Sequence, residues 1–340
     1  MPSNKKLLQA AAGSAGGDPL YVEDVFSTYL YDGTGAVKTI TNGIDLDGEG
    51  GVVWIKDRSG TEKHVLAYDE NKFLSSNTTD AVTTNVNYVQ SFNSDGFQVG
   101  AASPVTASGS TFASWTFRKA EKFFDVVTYT GNGASGREIA HSLNGTVGSV
   151  MIKVTSTTSN WFVWHRSLNQ NGLLSLNLTN AVSADGVITA SSDTTVTLEN
   201  WLNSNGKEYV MYLFASDAGG FGADGSESVV KCGTFTTDGT SKATVTLGWE
   251  PQYFLVKSRD IAQDWEVWDT MRGLNNTTVG RLRPNLSSAE DYHLMASPTA
   301  TGIDIKALSA SQPYIYMAIR RPMKTPTAGT EVYTTIARAG

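Results

Sequence analysis

Three tandem antiparallel β-sandwiches flanked by extended arms are the all-β fold this chain predicts, on three grounds: its length, its composition and an internal repeat. At 340 residues the chain exceeds the size at which one hydrophobic core keeps growing. Gly, Ser, Thr and Asn are abundant, 10% of the residues are aromatic and only 9 are proline, the make-up of short strands joined by tight turns.

The repeat has three anchors that recur in order. First comes an aromatic residue with glycine four positions later, Tyr31 with Gly35, Tyr129 with Gly133 and Phe235 with Gly239, each a strand running into a turn. Next is an apolar strand ending in lysine: Val53-Trp54-Ile55-Lys56, Val150-Met151-Ile152-Lys153 and Phe254-Leu255-Val256-Lys257. A second strand follows, with an aromatic and then a polar side chain, Tyr68-Asp69, Trp164-His165 and Trp268-Asp269, and after it FLSSN, LLSLN and RLRPN, ending at Asn77, Asn177 and Asn285. An aromatic-rich strand closes each copy, from Phe112, Tyr209 and Tyr314. The closing strand recurs after 97 and 105 residues and the opening aromatic after 98 and 106. Agreement at both ends marks a true duplication.

Taken in order, the chain divides into an N-terminal arm (1–24), three copies (25–121, 122–222 and 223–323) and a C-terminal tail (324–340). The Gly-rich stretch 217–227 reads as a linker. Alternating runs such as Lys242-Ala-Thr-Val-Thr-Leu place side chains on opposite faces of a sheet with one face buried, and turn signals every ten or so residues imply two-sheet sandwiches. Helix is scarce, with residues 3–12 the best candidate. Ordering about 20 arm residues costs on the order of 1 kcal/mol each, so the arms are expected to find contacts on neighbouring subunits.

Several functions are disfavoured. A net charge of −7 without a block of like charges argues against nucleic acid and anionic membranes as partners. Cys232 is the single cysteine, so no intrachain disulfide forms, and no Cys/His cluster has zinc-ligand spacing. Residues 1–17 are too short and too weakly apolar for a signal or a membrane span, which makes the chain a cytoplasmic product at synthesis. No cofactor is called for.

Individual motifs are weighed against the repeat. Gly131, Gly133 and Gly136 match a dinucleotide-binding pattern, but that motif needs a following helix, and 137–143 reads as strand. Asp45, Asp47 and Glu49 stand at positions 1, 3 and 5 of a calcium loop, the best metal candidate, although Lys56 occupies the position of the bidentate glutamate; a solvated turn is the competing reading. His64, His141, His165 and His293 sit in unrelated contexts and read as isolated surface residues, with no nucleophile signature nearby, so no catalytic residue is assigned and the chain is read as a non-enzyme. Trp54, Trp161 and Trp265 lie on or beside the middle strands and are candidates for stacking on a glycan, core packing being the alternative. The sequons at Asn77, Asn144, Asn177, Asn275, Asn276 and Asn285 are compositional accidents in a Thr/Asn-rich chain.

VVWIKDRSGTEKHVLAYD, FLSSNTTDA, WTFRKAEKFFDVVTYTGNG, WFVWHRSL, YVMYLFA and YIYMAIRRPMKTPTAGTEV resemble an uncharacterised family of virion-associated proteins of tailed phages, many of them from phages of marine bacteria. The likeness runs over nearly the whole chain. It implies a structural component of the virion, tail- or fibre-associated, with repeated concanavalin-like or jelly-roll sandwiches. Its partners would be other virion proteins and copies of itself. Lys5, Lys6, Leu7 and Leu8 are the assembly contacts expected in the N-terminal arm. A module for host-surface glycans is the alternative, with tandem copies supplying avidity. Three copies in one chain also have the means to imitate a three-fold by themselves.

Overall fold

A computed structural model describes residues 18–168, 171–274 and 278–325; the helix expected at 3–12 and the arm contacts Lys5, Lys6, Leu7 and Leu8 lie outside them. The described chain is nearly all β and antiparallel. One strand order appears three times. Each large sheet runs opening strand, closing strand, middle strand, following strand. The opening strands are Phe26–Asp32, Phe124–Thr130 and Val230–Thr236, and the closing strands Thr111–Arg118, Glu208–Ala215 and Pro313–Arg320. The middle strands are Gly51–Asp57, Val147–Val154 and Pro251–Ser258, and the following strands Val65–Asp69, Trp161–His165 and Glu266–Asp269. Each large sheet is accompanied by a three-stranded small sheet, such as Lys38–Thr41, Gly96–Val99 and Val89–Asn93 in the first copy.

The small-sheet strands alternate as the sequence suggests. Lys38–Thr41 and Ala243–Thr246 bury only their third residue. The large sheets do not, and here the expectation of a half-buried sheet is corrected. All residues of the middle strands Gly51–Asp57, Val147–Val154 and Pro251–Ser258 are buried. One face of each sheet looks into its own sandwich, where Val53 and Ile55 join Phe97 and Phe112 in the first copy and Phe254 and Val256 join Trp268 and Tyr316 in the third. The other face looks toward the other copies. Trp54, Trp115 and Phe117 of the first copy, Met151, Tyr212 and Phe214 of the second, and Tyr253, Leu255 and Met317 of the third belong to one continuous core.

Aromatic rings join the copies in this shared core. Phe117 lies with its ring centroid 5.5 Å from Phe214 and 5.9 Å from Tyr253, both edge-on, and Phe26 stands 5.5 Å from Tyr253. Such pairs add about 0.5–1.5 kcal/mol each beyond the area they bury. A sheet sealed on both faces needs unbroken apolar runs, which is what VVWI, VMI and FLV supply.

The stretch 217–227, expected as a linker, is a folded loop. Phe221 is fully buried, bridges to Glu227 and packs edge-on against Phe123 at 6.3 Å. The glycines 131, 133 and 136 lie in the turn between Phe124–Thr130 and the strand Glu138–Ala140, with Gly133 and Gly136 at positive φ and no helix following.

Candidate functional site

Buried polar groups line the junctions between copies, and their geometry repeats head to tail. Asn77, Asn177 and Asn285 each accept, through Oδ1, the backbone N–H of His64, Trp161 and Trp265, at 3.1, 2.9 and 2.9 Å. This locks one ring at the start of each following strand. Trp161 Nε1 then donates to the Ser75 carbonyl of the first copy at 2.9 Å, and Trp265 Nε1 to the Ser175 carbonyl of the second at 2.9 Å. In the first copy the position belongs to His64, whose Nε2 lies 3.0 Å from the Arg283 carbonyl of the third.

A main-chain bond repeats the same cycle. Val82 N–H donates to Thr155 O at 2.9 Å, Val182 N–H to Arg259 O at 2.8 Å, and Glu290 N–H to Arg58 O at 2.8 Å. Each interface is heterologous, and three of them close.

The lysines that end the middle strands serve the same junctions. Lys56, Lys153 and Lys257 are buried, yet each is held by carbonyls. Lys153 Nζ donates to Thr79 O (3.2 Å) and Val154 O (3.1 Å), and Lys257 Nζ to Thr179 O and Ser258 O (both 3.1 Å). Lys56 instead stays within its own copy, on Asp57 O and Gly60 O. Burial pushes all three ammonium groups down to about 8. Between that value and the ordinary lysine pKa of about 10.4 the unfolded chain binds more protons than the folded one, so stability rises with pH across the window. We expect a gain on the order of 1 kcal/mol per lysine between pH 8 and 9.5. Urea unfolding of the wild type and of Lys153→Met checks it: the variant should lack one lysine's share of the gain, about 1 kcal/mol between pH 8 and 9.5.

The third-to-first junction carries a buried charged network, whereas among the described residues the others have the single pairs Lys119–Asp125 and Lys231–Asp217. Asp269, fully buried, accepts from Trp115 Nε1 (2.9 Å), Arg272 Nε (2.7 Å) and the Arg272 backbone N–H (3.0 Å). Arg272 Nη1 reaches Glu290 Oε1 at 3.0 Å, its guanidinium lies 5.2 Å from the Trp115 ring centroid, and Arg58 grips Glu290 Oε2 at 2.7 Å. The two arginines hold the Glu290 carboxyl below its ordinary value despite burial, which acts the other way.

The structure redistributes the sequence candidates. Trp54, Trp161 and Trp265 are buried, because the sheet face that carries them is sealed by the neighbouring copies; none offers a ring to a glycan. Trp161 and Trp164 do alternate, as do Trp265 and Trp268; Trp268 is fully buried and Trp164 half-buried. His64, His141 and His165 are buried rather than superficial, and His293 alone is exposed. Asp45 accepts from the Gly48 N–H within its own turn, and Glu49 faces Arg118 at 3.8 Å. No three His, Cys, Asp or Glu side chains converge on a metal position among the described residues, so Asp45, Asp47 and Glu49 form a turn and not a calcium cage.

Pairing registers also shift one alignment. Val53 stands opposite Ala67, as Val150 stands opposite Trp164 and Phe254 opposite Trp268. The equivalent polar positions are therefore Tyr68, His165 and Asp269, not Asp69, His165 and Asp269. Each of them meets the closing strand of the next copy: Tyr68 edge-on to Tyr212 at 6.4 Å, His165 Nε2 at 3.0 Å from Tyr316 O, and Asp269 on Trp115. Tyr68, His165 and Asp269 each follow the middle-strand lysine by 12 residues.

A second site lies where the chain enters and leaves. Glu23 accepts the backbone N–H groups of Met323 (3.1 Å) and Lys324 (2.7 Å), and Gly222 N–H donates to Leu20 O at 2.9 Å. The residues leading from the N-terminal segment and into the C-terminal one are thus stapled side by side.

Three β-sandwich copies closed head to tail through one shared core define the class. The chain belongs to the family DUF7483, a domain of unknown function, whose model matches residues 22–321. No curated protein matches the chain.

Proposed function

We propose that the chain is a structural protein of a tailed-phage virion, tail- or fibre-associated, that assembles through its terminal segments and non-catalytically. The observation that carries this reading is the common root of the two termini: Glu23 ties residues 323 and 324 to the start of the first copy. A ring whose polar groups are consumed by its own junctions is a rigid part, and two segments leaving from one point give it a single attachment. Edge strands such as Phe26–Asp32, hydrogen-bonded on one side within their sheet, offer further places for an added strand. The resemblance of the repeat motifs to virion-associated proteins supports the setting.

Deleting residues 1–17 should leave the unfolding midpoint unchanged and abolish incorporation into particles, scored by immunoblot of purified virions. Normal incorporation of the truncated chain would reject the arm as the attachment.

A further inference from the structure

The three junctions also differ in the space they leave. Between the first and second copies a groove of about 630 Å³ opens to solvent. At the second junction the same position is shut. Gly148 and Cys232 there correspond to Gly51 and Val126 by register, and they touch so closely that a Cβ on Gly148 would lie 2.8 Å from Cys232 Sγ. At the third junction Asp269 leads into the helical turn Thr270–Arg272, which packs against the opening strand Phe26–Asp32. Gly51 and Val126 instead stand among the walls of an open cleft.

The lining is hydroxyl- and carboxylate-rich. Tyr68, half-buried, presents an aromatic face, and Thr128, Thr130 and Thr155 add hydroxyls. Glu49, Asp69 and Glu208 line the same space. Lys72 pairs with Asp69 at 2.7 Å, Lys119 with Asp125 at 3.2 Å and Glu49 faces Arg118 at 3.8 Å, so among the described residues Glu208 is the lining carboxylate with no cationic partner. Burial and the nearby Asp69 and Glu208 carboxylates push the Tyr68 phenol up to about 12, which keeps it a neutral donor.

We propose that this groove binds a neutral oligosaccharide, with a sugar ring against Tyr68 and its hydroxyls donated to the Asp69 and Glu208 carboxylates. The chemistry follows from the lining. A carboxylate accepts two sugar hydroxyls at once, threonine hydroxyls serve as donor or acceptor, and a tyrosine face covers the apolar side of a pyranose. Excess carboxylates repel uronates and sialylated chains. The open space suits a chain segment rather than an enclosed small molecule. The groove is lined by residues of the first and second copies, so loss of this binding and loss of particle attachment are scored separately.

The test is calorimetric titration of the full chain with gluco-, manno- and galacto-tetraoses, an alginate tetramer and an oligolysine peptide. We expect at least one neutral tetraose to bind, alginate not to bind, and the affinity to fall tenfold or more in both Glu208→Gln and Thr128→Arg. Thr128 is exposed, so its arginine fills the groove without entering the core, and an unchanged unfolding midpoint verifies folding. No neutral tetraose binding, binding unaffected by either variant, or binding of oligolysine alone would each overturn the proposal.

Discussion

Asp269→Ala is expected to destabilise the protein by about 3–5 kcal/mol, the cost of breaking a buried ion pair from one side. The substitution removes the acceptor of the Trp115 indole N–H and of Arg272 Nε together. It leaves Arg272, whose side chain is fully buried, with Glu290 as its one carboxylate partner. Asp269→Asn retains an acceptor for Trp115 but loses the charge, and should fall between wild type and alanine. Because the network joins the third copy to the first, the loss should open the ring at that junction. Tryptophan fluorescence in urea measures it, and a change under 1 kcal/mol in Asp269→Ala would contradict the role given to this network.

Acidification should be as damaging. Burial pushes the His64 imidazole down to about 3 and that of His165 to about 4, the nearby Lys56 adding to the first effect. Both rings are therefore neutral in the folded chain, whereas in the unfolded chain they take up protons near pH 6.5. Their contribution is complete above pH 6.5 and is lost as the pH falls toward 4 and 3. We expect about 2–3 kcal/mol from each over that range. His64 is the more informative of the two, since the other junctions carry Trp161 and Trp265 in its place. A single His64→Trp exchange leaves the Trp54 indole N–H without its acceptor, His64 Nδ1 at 2.9 Å, at about 1–3 kcal/mol. Trp54→Leu with His64→Trp reproduces the Leu255 and Trp265 pair of the third copy, and should be less sensitive to pH between 6.5 and 4 than the wild type.

The sequence displayed the repeat because its anchors are local. Strand, lysine and closing aromatic recur within each copy, and the all-β class follows from their alternation and turns. What it concealed is what happens between copies. Period-2 patterning marks which side chains share a face but not whether that face meets water, and that ambiguity is why glycan stacking stood beside core packing for Trp54, Trp161 and Trp265. The unbroken apolar runs of the middle strands, and a lysine at the same position in each, were the available signs of burial on both faces. The alignment of Asp69 with His165 failed for a different reason: it matched the aromatic Tyr68 to Trp164 by type, whereas the spacing from Lys56 and Lys153 puts Tyr68 level with His165. The groove was invisible because Gly51, Tyr68, Thr128 and Glu208 come from distant segments that meet only when the ring closes. The burial of His64 and His165 was missed because their partners, the carbonyls of Arg283 and Tyr316, are main-chain atoms in another copy.

The central claim is that the three copies share one core and fold as one unit, rather than as beads joined by linkers. Differential scanning calorimetry of the full chain tests it most directly. The account predicts a single transition whose calorimetric and van't Hoff enthalpies agree, with Asp269→Ala lowering the whole transition. Two or three separable transitions, with only one of them shifted by Asp269→Ala, would contradict it.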